Sequence, residues 1–184
     1  MTMDTIHWKE DGLGGTIYRT QGAKALAYIL EPEPVTDKVA SVAEELSLTL
    51  VSISGMDWNR DLSPWKAEKV FKGEEDFSGG ADDFMEKLEN KVFPAIEEMA
   101  GPLPDHRMMA GISLSGLFAL YMGTRSSAFS AIASISGSLW FDGFTDFMKE
   151  KGLHTAVKRV YLSLGDREKK TGNPRMARVE SATL

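Results

Sequence analysis

The chain has 184 residues, of which 26% are charged; its formal net charge is −6, and it contains no cysteine. Because a nucleic-acid backbone is bound by a basic surface, this acidic balance predicts no nucleic-acid partner. The lack of cysteine excludes disulfides, thiolate nucleophiles and cysteine-ligated metals. Histidines and carboxylates do not cluster with the spacing of metal ligands, so we expect neither a metal nor another cofactor.

The sequence also predicts where the protein resides. The N-terminal stretch MTMDTIHWKEDG has no basic region followed by an apolar run, which a signal peptide would have. No apolar stretch approaches the ~20 residues that span a bilayer. We therefore expect one soluble, cytoplasmic domain over residues 1–184, without membrane contact.

The first part of the chain predicts three strands and one helix before a long loop. Residues 14–20 alternate apolar and polar side chains, which favours an edge strand. Residues 24–30 are mostly apolar and predict a buried strand, and residues 47–54 predict the next one. Between them, residues 35–46 predict a helix with Thr36 as its N-cap. The expected apolar face of this helix consists of Val35, Val39, Val42, Ala43 and Leu46.

The remainder of the chain alternates strands and helices. Residues 55–80 form a long polar stretch, and loops of such length are often functional. From Ala81 a helix follows, which Pro94 kinks or restarts. Strands are then predicted at residues 106–112, 129–136 and 157–165, and helices at residues 115–123, 144–152 and 173–184. This alternation predicts an α/β fold with a mostly parallel sheet and helices on both faces.

The stretch MMAGISLSGLFALY, residues 108–121, joins a predicted strand to a predicted helix through Ser113. A nucleophilic serine on a sharp strand-to-helix turn needs small residues two positions before and two positions after it. Gly111 meets this requirement, whereas Ser115 stands where the second glycine is usual. The N–H of Leu114 would stabilise an oxyanion at the serine. The alternative is a packed junction that merely contains serines, since G-x-S-x-[SG] also occurs by chance.

A serine nucleophile needs a base, usually histidine, and an acid that orients the base. Glu168 follows the last predicted strand and is the first candidate for the acid; Asp166 is the second, and a solvated charged turn is the alternative. The histidines are His7, His106 and His154, and all precede the acid. We expect surface or capping roles for them, so the chain does not supply a complete triad.

The stretches GMDWNRDLSPW, AGISLSGLFALY and VYLSLGDREKKTGNPRM follow one another along the chain. Together they resemble bacterial α/β-hydrolases of the Putative esterase family, which includes esterase D-like enzymes and enterobactin-type siderophore esterases. The resemblance implies an α/β-hydrolase fold and a Ser–acid–His hydrolase that acts on carboxylic esters. Ser113 then matches the nucleophile, Leu114 an oxyanion donor and Glu168 the acid, although many relatives carry Asp there. Ser115 departs from the family's glycine.

The resemblance also implies two features that the sequence does not show completely. The second oxyanion N–H comes from the loop after the first central strand, here residues 31–33. Pro32 has no N–H, which leaves Glu31 or Glu33 as the donor. The family's histidine lies beyond a further helix and strand. We therefore expect a C-terminally truncated member of the family that lacks its last strand and helix.

The loop motif GMDWNRDLSPW has two interpretations. In the first, Trp58, Asn59, Arg60 and Trp65 line a substrate mouth above the sheet, with the arginine facing an anionic group. In the second, Arg60 and Asp61 lock the loop while Trp65 fills the core.

Three classes of function remain open. An ester hydrolase would act through Ser113 on a small-molecule ester, and this is the first hypothesis. An acyltransferase would use the same groups with an alcohol in place of water. A non-catalytic binding protein needs no base, and the missing histidine gives this class weight.

Overall fold

The computed structural model of the protein describes residues 3–33 and 35–184. The strands are, in chain order, β1 (Met3–Glu10), β2 (Leu13–Thr20), β3 (Ala25–Leu30), β4 (Leu48–Ile53), β5 (Lys66–Ala67), β6 (Phe77–Ser78), β7 (Arg107–Ile112), β8 (Ala131–Ile135) and β9 (Arg159–Ser163). The helices are α1 (Asp37–Glu45), α2 (Trp58–Asp61), α3 (Ala81–Lys87), α4 (Phe93–Ala100), α5 (Leu114–Gly123), α6 (Phe144–Lys151) and α7 (Val179–Thr183). A π-helical turn, Leu88–Val92, joins α3 to α4, and a 3₁₀ turn, Met176–Arg178, precedes α7.

Seven of the strands form one sheet in the order β1-β2-β4-β3-β7-β8-β9. The strands β4, β3, β7, β8 and β9 run parallel to one another. An antiparallel hairpin of β1 and β2 extends the sheet beyond β4, and β5 pairs with β6 in a separate ribbon. The prediction of a mostly parallel sheet is confirmed.

Helices cover both faces of the sheet, as predicted. On one face, Tyr28 of β3 and Val51 of β4 pack in the main core with side chains of α3, α4 and α5. On the opposite face, Ala43 of α1 packs on Ala27 and Leu50. The carboxyl ends of the parallel strands meet at one edge, which is where sheets of this kind bind ligands.

The strand β1 was not predicted from the sequence. Its residues pair with β2 along the whole strand, from Met3 opposite Thr20 to Glu10 opposite Leu13. Residues 14–20 are therefore not at the edge of the sheet, and that part of the prediction is wrong. The missed signal is the Asp11-Gly12 dipeptide, whose φ values of 48° and 83° suit a two-residue hairpin turn.

The helix α1 buries only part of the predicted face: Ala43 and Val35 pack on the sheet, whereas Val39 is 43% exposed. Ala40 and Ala43 face the sheet and are only 3% and 5% exposed, whereas Val42 is 43% and Leu46 is 64% exposed. The two alanines allow the helix to lie close to the strands, and the larger side chains then point to the side. Apolar spacing alone did not distinguish the small contact face from its neighbour.

The long stretch of residues 55–80 is not without regular structure. The Asp57 side chain accepts a hydrogen bond of 3.0 Å from the Arg60 N–H and so caps α2. The β5–β6 ribbon follows within the same stretch. Farther along, Pro94 lies in the first turn of α4, directly after the π-helical turn through which α3 continues into α4.

Candidate active site

Ser113 is the single residue between β7 and α5. Its backbone has φ 58° and ψ −121°, a left-handed conformation that residues with a side chain adopt only under constraint. Its side chain is exposed at the carboxyl edge of the sheet, while α5 behind it is buried over its whole length. This is the strand–turn–helix arrangement in which a nucleophilic serine is presented.

Two glycines allow the chain to make this turn. A Cβ atom on Gly111 would lie 2.3 Å from the carbonyl carbon and oxygen of Ser115, which is closer than real Cβ contacts allow. A Cβ atom on Gly116 would lie 2.9 Å from the Ser134 hydroxyl and 3.0 Å from the Gly111 carbonyl oxygen. Both positions therefore need glycine because strand and helix approach each other closely.

Ser115, at the position of the expected second glycine, is fully buried with 0% exposure. Its hydroxyl accepts a hydrogen bond from the Ile112 N–H at 2.8 Å and donates one to the Ile112 carbonyl oxygen at 2.9 Å. The serine therefore fits the turn, and its polar group has partners on the main chain.

The first oxyanion donor expected from the sequence is the N–H of Leu114. It is the first residue of α5, and the first N–H groups of a helix have no acceptor within the helix. The positive end of the helix dipole lies at the same place and favours a developing negative charge. Leu114 therefore remains the candidate donor.

The second expected donor, Glu31, is not free in this conformation. Its N–H donates to the Ile53 carbonyl oxygen at 3.0 Å and so continues the pairing of β3 with β4. Because Pro32 has no N–H, only Glu33 of this segment keeps the role as a prediction. Burial raises the pKa of the Glu31 side chain, whose buried Oε1 has no hydrogen-bond partner.

The acid candidate Glu168 folds back onto the carboxyl ends of β8 and β9. Its Oε1 accepts hydrogen bonds from the Ser136 hydroxyl at 2.7 Å and from the Gly165 N–H at 2.6 Å. The second candidate, Asp166, has a side chain that is 95% exposed, and its Oδ1 lies 4.0 Å from Nε of Arg167. Of the two carboxylates, only Glu168 is held in place by the sheet.

The residues that follow β8 connect the nucleophile with the acid. The Ser113 N–H donates to the Ile135 carbonyl oxygen at 3.0 Å, and Ser136 is the next residue. The Ser138 N–H donates to the Ser113 carbonyl oxygen at 2.9 Å, and the hydroxyls of Ser113 and Ser138 lie 3.3 Å apart. Neither Ser136 nor Ser138 was predicted from the sequence as a site residue. The available signal was a Ser-Gly-Ser segment directly after a buried strand.

None of the three histidines lies at this edge of the sheet in the part of the chain that the structure describes. His7 belongs to β1, at the outer side of the hairpin. His106 precedes the amino end of β7. The His154 N–H donates to the Gly123 carbonyl oxygen at 2.8 Å, at the opposite end of α5 from Ser113.

The polar residues of the GMDWNRDLSPW loop make contacts within the loop. The Arg60 side chain donates to Asp61 at 2.8 Å, and Asp61 also accepts from the Asp57 N–H at 2.9 Å. The Asn59 side chain donates to the Glu75 carbonyl oxygen at 2.8 Å. These contacts agree with the interpretation that the motif locks the loop.

The two tryptophans of the loop face the protein interior. Trp58 is half-buried against the main core. Trp65 donates from Nε1 to the Asp142 carbonyl oxygen at 2.9 Å, and its ring packs against Phe141 and Phe147 at centroid distances of 5.9 and 5.5 Å. A role of Trp58, Asn59, Arg60 or Trp65 in substrate binding remains a prediction.

The described residues, 3–33 and 35–184, contain neither a membrane-spanning helix nor a cluster of metal ligands. No helix in these ranges is long and apolar enough to cross a membrane. The same ranges contain no group of three or more histidine and carboxylate side chains arranged to hold a metal ion.

Comparison with known proteins finds one curated relative and many similar structures. The uncharacterised protein YbbA of Bacillus subtilis (strain 168) is 30% identical over 124 residues, which are 66% of this chain and 50% of that protein. The chain therefore spans about half the length of this curated relative.

Two solved structures illustrate the similarity of fold. The BES protein from Bacillus cereus has a TM-score of 0.75 and 20% identity, covering 99% of this chain and 81% of that one. The siderophore hydrolase EstB from Aspergillus nidulans has a TM-score of 0.70 and 17% identity, covering 98% and 78%. At such identities the similarity shows a shared fold, and it agrees with the α/β-hydrolase architecture expected from the sequence.

The family model described as Putative esterase matches residues 6–183, which is nearly the whole chain. The protein belongs to the Putative esterase family.

Proposed function

We propose that the protein is a serine hydrolase that cleaves carboxylic esters of small molecules, with Ser113 as its nucleophile. The backbone of Ser113 carries this proposal. Its φ of 58° and ψ of −121° hold an exposed hydroxyl between β7 and a buried helix. Strained backbone of this kind persists chiefly where the surrounding structure enforces it for function.

The proposed reaction has two acyl-transfer steps. The Ser113 oxygen attacks the acyl carbon of the ester and transfers its proton to a base, while the Leu114 N–H stabilises the oxyanion. The base returns the proton to the departing alcohol, which leaves an acyl group on Ser113. Water then attacks the acyl carbon and gives a proton to the base, which passes it to the Ser113 oxygen as the acyl bond to that oxygen breaks and the carboxylic acid leaves. Glu168 orients the base in both steps.

The base is the missing member of this mechanism. None of the three histidines lies beside Ser113, so we propose that the general base is an imidazole other than those of His7, His106 and His154. The mechanism can be tested without knowing its source, because free imidazole can take the place of an absent histidine side chain. Hydrolysis by this chain should then increase with the concentration of imidazole.

The experiment compares the wild-type chain with Ser113→Ala. With p-nitrophenyl acetate as the ester, we expect an imidazole-dependent rate that exceeds the rate for Ser113→Ala, which measures the reaction of imidazole alone. A fluorophosphonate should label the wild-type chain faster with imidazole present, and should not label Ser113→Ala. Equal rates and equal labelling for the two folded proteins would contradict the proposal.

A non-catalytic binding protein is the second candidate, because no histidine accompanies Ser113 in the chain. A binding protein predicts equal hydrolysis rates and equal labelling for the wild type and Ser113→Ala. It also predicts saturable binding of an ester that is released without being cleaved. Transfer of the acyl group to an added alcohol, in place of hydrolysis, would instead identify an acyltransferase.

The substrate class is proposed as a small-molecule ester. The acidic net charge of −6 and the absence of cysteine fit a cytoplasmic hydrolase. Because the siderophore hydrolase EstB shares this fold, a siderophore ester is a suitable second substrate for the same assay.

A further inference from the structure

We propose that Ser136 is a positioning residue, which fixes the Glu168 carboxylate so that Glu168 can orient the base. This inference rests on the proposed function. It assigns a role to a side chain that touches neither the ester nor the oxyanion. Three independent features of the structure lead to it: the backbone of Ser136, the pattern of hydrogen bonds on Glu168, and the proximity of both to Ser113.

The first feature is the backbone conformation of Ser136. Among the described residues, the non-glycine positions with positive φ are Asp11, Ser47, Ser113 and Ser136. Two of the four directly follow neighbouring parallel strands at the carboxyl edge, namely Ser113 after β7 and Ser136 after β8. The φ of Ser136 is 47°, and its N–H donates to the Ser163 carbonyl oxygen at 2.8 Å. A glycine would adopt this conformation without strain, so the retained hydroxyl calls for a reason.

The second feature is the unequal use of the two carboxylate oxygens of Glu168. Oε1 accepts from the Ser136 hydroxyl at 2.7 Å and from the Gly165 N–H at 2.6 Å. Within residues 3–33 and 35–184, no hydrogen bond reaches Oε2. Two donors on Oε1 restrict the rotation of the carboxylate, and its other oxygen can accept an N–H from an imidazole.

The third feature is the short path between Ser136 and the nucleophile. The Ser113 N–H donates to the Ile135 carbonyl oxygen at 3.0 Å. This carbonyl and the Ser136 nitrogen belong to the same peptide group. An imidazole that accepts the Ser113 proton and donates to Glu168 would bridge the segments that follow β7 and β8, which this hydrogen bond joins. Without the Ser136 hydroxyl, Gly165 alone would hold the carboxylate, and the carboxylate would be free to rotate.

The experiment measures the imidazole-dependent hydrolysis of p-nitrophenyl acetate for Ser136→Gly and Ser136→Ala. Loss of one hydrogen bond to a charged group should lower the rate constant for imidazole about tenfold in both variants. The KM for the ester should not change, because Ser136 does not contact the ester. Ser136→Gly should melt close to the wild type, because relief of the strain at a φ of 47° offsets the lost hydrogen bond. If Ser136 had a purely structural role, the folded Ser136→Gly variant would keep the full imidazole-dependent rate of the wild type.

Two further variants complete the design. In a Glu168→Ala background, Ser136→Gly should have no additional effect, since Ser136 acts through Glu168. The matched control is Ser126→Ala. Ser126 is buried and donates to Glu89 at 2.5 Å, in the turn after α5, at the opposite end of this helix from Ser113. The control should lower the melting temperature and leave the imidazole dependence unchanged.

The outcomes separate this inference from the function on which it rests. Two results overturn the role of Ser136 but leave the proposed function intact. In the first, Ser136→Gly hydrolyses the ester with the imidazole dependence of the wild type. In the second, Ser136→Gly lowers the rate tenfold in the Glu168→Ala background as well. A wild-type chain without any Ser113-dependent rate overturns the proposed function, and the role of Ser136 with it.

Discussion

The Ser115 hydroxyl bridges the main chain of Ile112, with 2.8 Å to its nitrogen and 2.9 Å to its carbonyl oxygen. These two hydrogen bonds close the turn that exposes Ser113. In the pattern that this turn resembles, glycine is usual at this position. Serine therefore stabilises the turn relative to glycine, because its buried hydroxyl makes two hydrogen bonds to the main chain that glycine cannot make.

Removal of this hydroxyl gives the first prediction. Ser115→Ala should reduce the free energy of unfolding by about 1–2 kcal/mol, since two buried hydrogen bonds are lost. Denaturant unfolding measures the change. Ser41→Ala is the control, because the Ser41 hydroxyl makes the same kind of bond to the residue three positions earlier, Lys38, but on an exposed surface. If both variants lose the same small amount of stability, the bridge to Ile112 does not stabilise the turn.

The close approach of strand and helix gives the second prediction. In Gly111→Ala, the new methyl group would meet the Ser115 carbonyl at 2.3 Å. We expect a loss of roughly 3 kcal/mol or more, because backbone atoms cannot move aside as a flexible side chain can. Labelling of Ser113 should fall together with the melting temperature.

Gly172→Ala is the matched control for this substitution, since a Cβ atom there would have no neighbour within 4 Å. It should leave both the melting temperature and the labelling close to wild type. A Gly111→Ala protein as stable as Gly172→Ala would show that position 111 tolerates a side chain. That result would contradict the tight turn at Ser113.

How much of the fold and site the sequence predicts depends on the range of the interactions. The turn at Ser113 was predictable because strand, small residues and helix are contiguous in the sequence. The contacts of Ser136 with Glu168 and of Ser138 with Ser113 join residues that are 32 and 25 positions apart. No local pattern encodes such pairs, and they depend on the order of the strands in the sheet.

The same reasoning explains the errors in the outer elements. The strand β1 carries few apolar side chains, although Trp8 is buried in the main core and Ile6 packs against it. The face of α1 was partly misassigned because small alanines, not the larger Val42 and Leu46, make the contact with the sheet. The N–H of Glu31 was assigned to an oxyanion, but the pairing of β3 with β4 extends one residue farther than its apolar run indicates.

The third prediction concerns the two interpretations of the GMDWNRDLSPW loop. Trp65 packs among the rings of Phe141, Phe144 and Phe147. Trp65→Ala should therefore lower the free energy of unfolding by about 3 kcal/mol, the usual result of removing a large aromatic side chain from a packed cluster. Per folded molecule, labelling of Ser113 should be unchanged at temperatures where the variant is native.

Lys66→Ala is a suitable control, because Lys66 is the exposed residue that follows Trp65 and begins β5. Lys66→Ala should change neither the free energy of unfolding nor the labelling of Ser113. A Trp65→Ala protein that keeps its stability but loses ester hydrolysis would instead support the substrate-mouth interpretation.

The fourth prediction is a pH dependence of stability at the junction of α3 and α5. Asp82 accepts hydrogen bonds from the Arg125 guanidinium and from the Tyr121 hydroxyl, the latter at 2.8 Å. The hydrogen bond from Arg125 is the main cause that lowers the pKa of Asp82, and the bond from Tyr121 adds to it. Because the folded state favours the ionised carboxylate, this stabilisation is complete above the unfolded pKa of about 4 and is lost as the pH falls through the folded value.

Asp82→Asn keeps an acceptor for both partners but removes the charge. Since the side chains of Asp82 and Arg125 are 60% and 44% exposed, solvent screening limits the loss of stability at neutral pH to about 1 kcal/mol or less. The difference between wild type and variant should shrink below pH ~4 and vanish in stronger acid. Unfolding titrations at several pH values measure it, with Asp83→Asn, the exposed neighbour in the same turn, as the control. A difference that stays constant down to strongly acidic pH would mean that Asp82 stabilises the junction through its shape and not through its charge.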